Sequence, residues 1–514
     1  MTPWRYEADP AVTNLPMLLK ARMRADSLAI WDGAGHRLSY GDYWALSGRL
    51  ANALQSQGVA RGNRVAVQVE KSIEGLALFL ACARIGAIFL PLNTAYTVAE
   101  LDYFIGDAEP SLVVCTPSRA GAIGTLAAKR QGTRLLTLDQ DGQGSLASLA
   151  SQQADDAADA PSGWDDLVAI LYTSGTTGRS KGAMLTHGNL ASNALSLVEA
   201  WRFTASDVLL HALPIYHTHG LFTATNTLLL SGGQMIFRQK FDADDVIARL
   251  PQATTMMGVP TFYTRLLQHP GLTRELVRHM RLFVSGSAPL LAETHRQFFD
   301  RTGHAILERY GMTETNMNTS NPYEGERRAG TVGFPLPGVD LRITGPATGA
   351  ELEDGETGMI EVRGPNVFKG YWRMPEKTAE ELRADGFFIT GDLGRIDERG
   401  YVSIVGRGKD LIISGGFNVY PKEVESEIDA LPGVVESAVI GVAHPDFGEG
   451  VTAVVAVGAL PAQMTEKDVI GALEHRLAKF KLPKRVIFVA DLPRNAMGKV
   501  QKRELRETYA KLYC

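Results

Sequence analysis

A chain of 514 residues exceeds what one hydrophobic core serves, so two or more domains are expected. Its 45% hydrophobic and 21% charged residues exclude a disordered or fibrous protein. The 52 basic residues are outnumbered by 57 acidic ones, and a net charge of −5 gives no ground for a nucleic-acid partner or an anionic membrane.

The first residues, Met1-Thr-Pro-Trp-Arg-Tyr-Glu-Ala-Asp9, show neither the basic stretch nor the apolar core of a targeting segment. Cys82, Cys115 and Cys514 form no disulfide framework and no metal spacing, which points to a reducing cytoplasm. Helical apolar spacing over 42–58 is followed by strand-like alternation over 64–69. Helix 73–86, strand 87–90, helix 98–107 and strand 111–115 come next, and this alternation predicts a doubly wound α/β sheet. The run 76–92 contains Arg84, Gly86 and Pro91 and is too short to span a bilayer; it reads as a buried helix entering a strand. The polar, acidic tract 151–163 reads as an exposed connector before the apolar strand 167–171. From 330 to 406, short strands punctuated by glycine and proline predict a small β-rich subdomain. Beyond it, strands 437–442, 452–457 and 485–489 and helices 466–479 and 502–512 predict a compact α/β unit. The boundary is placed between 1–408, a large N-terminal domain, and 409–514, a small C-terminal one.

Directly after strand 167–171 comes Tyr172-Thr-Ser-Gly-Thr-Thr-Gly-Arg-Ser-Lys-Gly182. Such a loop suits polyphosphate: glycines let backbone N–H groups approach an anion, hydroxyls donate, and Lys181 adds a point charge. Composition alone fits an ordinary surface loop equally well. The spacing is not that of a P-loop ATPase, which would need glycine where Ser180 stands. Gly406-Arg-Gly408 opens like a dinucleotide fingerprint, but its third glycine would fall at Leu411.

The 172–182 segment resembles the signature phosphate loop of the adenylate-forming superfamily, which holds acyl-CoA synthetases, peptide-synthetase adenylation domains and firefly-type luciferases. Tyr310-Gly-Met-Thr-Glu314, Thr390-Gly-Asp392, Gly406-Arg-Gly-Lys-Asp410 and Pro493-Arg-Asn-Ala-Met-Gly-Lys499 match it in the same order. The likeness covers nearly the whole chain and is closest to the malonyl-CoA synthetases. It implies a mobile C-terminal domain, with ATP, coenzyme A, a carboxylic acid and Mg²⁺ as the small molecules handled. The resemblance gives Thr173, Ser174, Gly175, Thr176, Thr177, Gly178 and Lys181 to the β- and γ-phosphates. Gly286, Ser287 and Ala288, with Glu308, Arg309 and Tyr310, would sandwich adenine. Asp392 would accept the ribose hydroxyls, Arg407 would assist, Thr313 would bond the α-phosphate, and Glu314 would bind the metal.

Two anions must meet in adenylation, at a cost of about 1 kcal/mol per charge pair at 4 Å in water and about 4 at an effective dielectric near 20. The resemblance supplies Lys499 as the cation that swings in to neutralise them. It places the hinge at Lys409 and brings Gly415 and Gly416 to the pantetheine tunnel in a second conformation. Lys499 also resembles a lysine that is reversibly acetylated in bacterial relatives, which implies a protein acetyltransferase as partner.

His217, in Tyr216-His-Thr-His-Gly220, matches the residue that gates the carboxylate, with Ser285, Gly311 and Met312 beside it. The polar run 315–321 is unsuited to a fatty chain, since each buried CH₂ gains about 0.8 kcal/mol only against apolar lining. A small hydrophilic acid is expected instead. Arg296, two turns into a helix after Pro289, matches an arginine that clamps a distal carboxylate in malonyl-CoA synthetases; Arg238, Arg265 and Arg309 are rivals. The expected activity is ATP-dependent ligation of malonate, and of methylmalonate, to coenzyme A. Other small, aryl or fatty acids are the alternative. A peptide-synthetase adenylation domain is disfavoured because 221–226 holds no Asp or Glu for a substrate ammonium and no carrier domain follows. A luciferase-like monooxygenase and a non-catalytic nucleotide-binding module complete the alternatives.

Overall fold

Strands Arg64–Gln68, Ile88–Pro91 and Leu112–Cys115 are buried on both faces, and this is the condition under which parallel pairing is favoured. In the computed structural model, which describes residues 11–33, 35–173, 180–415, 417–458, 464–495 and 498–513, they form the centre of a six-stranded sheet. Its spatial order is Arg134–Thr137, Leu112–Cys115, Arg64–Gln68, Ile88–Pro91, Leu167–Thr173 and Lys181–Thr186. All neighbours are parallel except the last pair.

A second sheet of nine strands has a parallel middle: Leu28–Trp31, Gln234–Phe237, Val208–His211, Thr255–Gly258, Leu282–Ser285 and Leu307–Met312. Antiparallel strands close both ends, Arg37–Ser39 on one side and Asn316–Ser320 with Phe334–Pro335 on the other. One apolar core runs through both sheets, taking in Val65, Phe79, Leu209 and Val284. The chain is therefore an α/β protein with a large N-terminal part, as its strand–helix alternation predicts.

Local sequence sets the helix starts. Helix Tyr40–Ser56 opens on a capping box of Ser39 and Asp42, two residues before the apolar spacing suggested. Helix Ile73–Arg84 is buried almost along its whole length, including Arg84 at 2% exposure. That arginine is held by Asp159 at 2.6 Å, by Ser47 Oγ and by the carbonyls of Trp44 and Ala157. The tract expected as a plain exposed connector thus straps the helix; Asn52 also donates to the Ala154 carbonyl.

The β-rich stretch is an antiparallel meander of Asp340–Thr344, Gly358–Arg363, Phe388–Ile396 and Val402–Arg407. A 3₁₀ turn, Gly408–Asp410, leads from it to a five-stranded sheet with its own core of Val424, Ile428, Val439, Val451 and Val469. Helix Glu466–Leu473 starts on a Thr465/Asp468 capping box and stops earlier than its apolar spacing suggests. The chain breaks so that Phe480, within a short 3₁₀ turn, stacks on Phe417 at 4.7 Å. Among the described residues no helix is long and apolar enough to cross a membrane.

Candidate active site

Strands Leu282–Ser285 and Leu307–Met312 run parallel, and Ser285, where the first ends, stands beside Glu308 near the start of the second. The turn that follows Ser285 carries Gly286, Ser287 and Ala288, with Ser287 at φ 71, a left-handed backbone that few serines adopt. Alternation along the second strand sends Glu308 and Tyr310 to one face and Arg309 to the other. The Tyr310 hydroxyl donates to Asp392, whose other oxygen lies 2.7 Å from Arg407 Nε. Asp392 and Arg407 also face each other across paired strands, so the backbone register holds this pair in place. Glu308 accepts from the Leu290 N–H at 3.0 Å, and burial pushes its carboxyl up to about 7.

Glu314 lies in the turn between Leu307–Met312 and Asn316–Ser320 and is 5% exposed; Thr313 beside it is half-buried. Its Oε1 accepts from Thr173 at 3.3 Å and meets the Tyr371 hydroxyl at 3.1 Å. Tyr371 also donates to Glu381 at 2.6 Å, and Glu381 pairs with Lys181 at 3.1 Å and Lys377 at 3.0 Å. Lys181 is engaged here by Glu381 and by the Tyr371 ring, 4.0 Å away. Burial raises the Glu314 carboxyl above the usual range, opposed by Lys181, Arg407 and Tyr371. Among the described residues no three His, Cys, Asp or Glu side chains gather into a metal cage. One carboxylate beside a threonine hydroxyl suits a cation that takes its remaining ligands from phosphates and water, as Mg²⁺ does.

On the other face of the strand the surroundings differ. Arg309 is 4% exposed, and its Nε and Nη2 have no hydrogen-bond partner. A methyl group on Gly286 would lie 2.3 Å from its Cζ, so the guanidinium rests where only glycine leaves room. Burial lowers this arginine to about 9. Burial, then the charges of Arg309 and Lys499, push His217 down to about 4; burial and Arg309 keep His219 well below its usual value. Both imidazoles are neutral at physiological pH. The Ser285 hydroxyl and His219 Nε2 are buried without partners, while His219 Nδ1 lies 3.2 Å from Ser287 Oγ. Gly311 and Met312, at the strand's end, are half-buried.

Arg296 does not join this group. Its helix, Ala292–Thr302, buries Thr294, His295, Phe298 and Thr302, and Arg296 points off that face. The side chain is 68% exposed and pairs with Glu293 on the same helix. The expectation that it clamps a distal carboxylate is corrected by this packing. Among its rivals, Arg238 is tied to Asp245 at 2.6 Å and Arg265 is exposed, which leaves Arg309. The polar run 315–321 is likewise spent largely on bracing: Asn193 brackets Met317 through both backbone groups, and Asn321 donates to the Glu308 and Thr331 carbonyls.

Lys499 comes from the small domain. Gly498 abuts Thr261, and the Lys499 N–H donates to Asn495 Oδ1 at 3.0 Å. Lys499 is exposed as a residue, yet desolvation at its ammonium, then Arg407, lower it while Asp392 and Asp410 oppose the shift. Lys409 lies in the Gly408–Asp410 turn, lowered to about 8 chiefly by burial, with Arg407 and Lys499 adding to it. Gly415, at φ 59, donates its N–H to the Phe447 carbonyl at 2.8 Å. Phe447 is 38% exposed and carries Lys484 over its ring at 4.6 Å. Ser174, Gly175, Thr176, Thr177, Gly178 and Gly416 lie outside the described residues.

The family model described as AMP-binding enzyme matches residues 19–372, and that of the AMP-binding enzyme C-terminal domain matches 423–499. The chain belongs to the AMP-binding, adenylate-forming enzymes. It is an AMP-forming acyl-CoA ligase, and its substrates include ATP and coenzyme A. A feruloyl-CoA synthase of Amycolatopsis sp is 38% identical over 95% of this chain and 97% of its own. A malonate–CoA ligase of Arabidopsis thaliana is 37% identical over 88% and 79%. The ATP-bound crystal structure of MatB from Rhodopseudomonas palustris is 62% identical, covers 98% of the ligase and 100% of its own chain, and gives a TM-score of 0.96. The apo form of the same protein gives 0.85 at equal identity and coverage.

Sequence reasoning missed Tyr371, Glu381, His219 and Phe447. His219 was within reach, two residues past His217 in the same motif; the others carry no local signal.

Proposed function

We propose that the ligase joins malonate, and methylmalonate, to coenzyme A, with Arg309 receiving the distal carboxylate. The observation that carries this reading is a buried guanidinium with unpartnered N–H groups and no acidic partner among the described residues, beside two neutral histidines. An unpaired buried cation is costly, and a dianionic acid would supply the missing charge. A relative named for malonate supports it; one named for feruloyl-CoA keeps an aryl acid as the alternative.

In the first half-reaction a malonate oxygen attacks the α-phosphorus of ATP and pyrophosphate leaves. Lys499 is placed to neutralise the charge gathering between carboxylate and phosphate, and Thr313 to bond the α-phosphate. Glu314, with Thr173, would hold Mg²⁺, which when bound offsets phosphate charge. Asp392, already fixed by Arg407 and Tyr310, offers its carboxylate to the ribose hydroxyls. In the second half-reaction the CoA sulfur attacks the acyl carbon, AMP leaves and the thiol proton passes to solvent. Rotation of 409–514 about Lys409 would carry Lys499 out and bring the Gly415 segment in, with Phe447 and Lys484 offering a ring and a cation to the nucleotide end of CoA. Free, buried Cys82 and Cys115 support a reducing cytoplasm. Acetylation of the exposed Lys499 by a protein acetyltransferase would remove its charge and stop adenylation.

The test is a panel of acids assayed for CoA-dependent AMP release. Malonate is expected to dominate, and Arg309→Ala to lose about 2–4 kcal/mol in kcat/KM for malonate, the range for a severed buried charge pair. Arg296→Ala serves as the surface control. Preference for a monocarboxylate, or equal losses in the two variants, overturns the reading.

A further inference from the structure

Lys71 follows strand Arg64–Gln68 and stands just before Ser72, the cap of helix Ile73–Arg84. It is 7% exposed, and no carboxylate among the described residues lies within ion-pair distance. Its Nζ lies 2.9 Å from both Nδ1 and the carbonyl oxygen of His211, and 4.3 Å above the Phe237 ring. Lys71 thereby reaches from the six-stranded sheet into the nine-stranded one, where His211 ends the strand Val208–His211.

The other nitrogen of His211 fixes the direction of the contacts. Nε2 lies 3.0 Å from the Gly220 carbonyl, which can only accept, so Nε2 carries the hydrogen and Nδ1 receives one from Lys71. Thr225 Oγ1 donates to the same carbonyl at 2.9 Å. Gly220 belongs to a π-helical segment, His219–Ala224, a form that is rare and often marks a functional site. A methyl group on Gly220 would lie 2.1 Å from the Pro214 carbonyl oxygen, so the segment is seated tightly on the strand's exit. Immediately before Gly220 stand Thr218 and His219, and the Leu221 N–H donates to the His217 carbonyl at 3.0 Å.

We propose that Lys71 and His211 are positioning residues for the acid pocket: the chain Lys71–His211–Gly220 sets where His217 and His219 stand. The inference rests on the reading that these two histidines line that pocket, but not on which acid fills it. Neither Lys71 nor His211 touches a substrate group in this scheme. Their effect falls on the acid rather than on the nucleotide, which is held by the opposite face of Leu307–Met312 and by the meander.

The experiment compares His211→Leu, His211→Gln and Lys71→Met, using the acid that the parent enzyme turns over best. KM for acid, KM for ATP, adenylation rate and Tm are measured for each. Glutamine can donate to Gly220 and accept from Lys71, so it restores the chain; leucine and methionine break it. Breaking it is expected to raise KM for the acid on the order of tenfold, as for one or two lost buried hydrogen bonds, with KM for ATP within about twofold. His211→Gln should come back to within about threefold of the parent. Equal behaviour of the leucine and glutamine variants, parallel rises in both KM values, or an unaffected Lys71→Met overturns the proposal. Should His211→Leu fail to fold, Lys71→Met against His211→Gln decides by the same criteria. Using the parent's best acid keeps this outcome separate from the malonate assignment, which the acid panel judges alone.

Discussion

The two sides of strand Leu307–Met312 partner their charges to different extents, with Glu308 Oε2 the unpartnered oxygen on the Tyr310 side. On the nucleotide side, Asp392 has Arg407 and Tyr310, and Glu314 is linked through Tyr371 to Glu381 and its two lysines. On the acid side, Arg309 and Ser285 keep buried polar groups without partners. ATP brings its own metal and many contacts, so that side gains from a scaffold fixed in advance. A small acid makes few contacts, and under the proposed reading a buried cation without a partner would be the main charged group it meets. The difference suggests that selectivity belongs to one face of a strand and nucleotide chemistry to the other.

Lys499 is proposed to serve both sides, so its loss should break the comparison most severely. Lys499→Ala is expected to slow adenylation about 10²–10³-fold while sparing thioester formation from supplied acyl-adenylate, measured on the two half-reactions separately. Its lowered ammonium adds a pH signature: adenylation declines as pH rises through a value below the ordinary 10.5, and the second half-reaction does not share that decline. Lys409→Pro should next abolish overall turnover while one half-reaction persists, which single-turnover assays would resolve. Tyr371→Phe probes the prearranged side; losing one hydroxyl should cost about 1 kcal/mol, seen as a roughly fivefold rise in the magnesium needed for half-maximal adenylation.

The smallest effect concerns stability. Glu308 has a folded value near 7, above its unfolded value, so the fold holds an extra proton between the two. Stability is then greatest below the unfolded value and falls as pH climbs through about 7. Glu308→Gln removes that loss, and its Tm advantage over the parent should be small near pH 5 and larger near pH 8.

Much of this was legible in residue order. Strand-like alternation over 64–69 and the strand–helix alternation after it marked the central strands, and Thr390-Gly-Asp392 and Tyr310-Gly-Met-Thr-Glu314 fall beside one another through the Tyr310–Asp392 contact. Arg296 was misplaced because spacing from Pro289 gives a position along a helix, not its direction. The buried set Thr294, His295, Phe298 and Thr302 shows the inward face, with exposed Phe299 blurring that pattern. The Tyr371–Glu381 link and the Lys71–His211 contact join residues that only tertiary packing brings together. No periodicity in the sequence signals them.

The bare backbone at Gly286 has a consequence for redesign. The buried guanidinium lies where a side chain at 286 would stand, its Cζ 2.3 Å from an added methyl group, so these two positions must change together. If Arg309 receives the distal carboxylate as proposed, widening the acid's range would begin at residue 309, where a smaller neutral side chain would leave space and remove the demand for a second negative charge. A library built on 286 alone would push the Arg309 guanidinium aside while leaving its charge buried and unplaced.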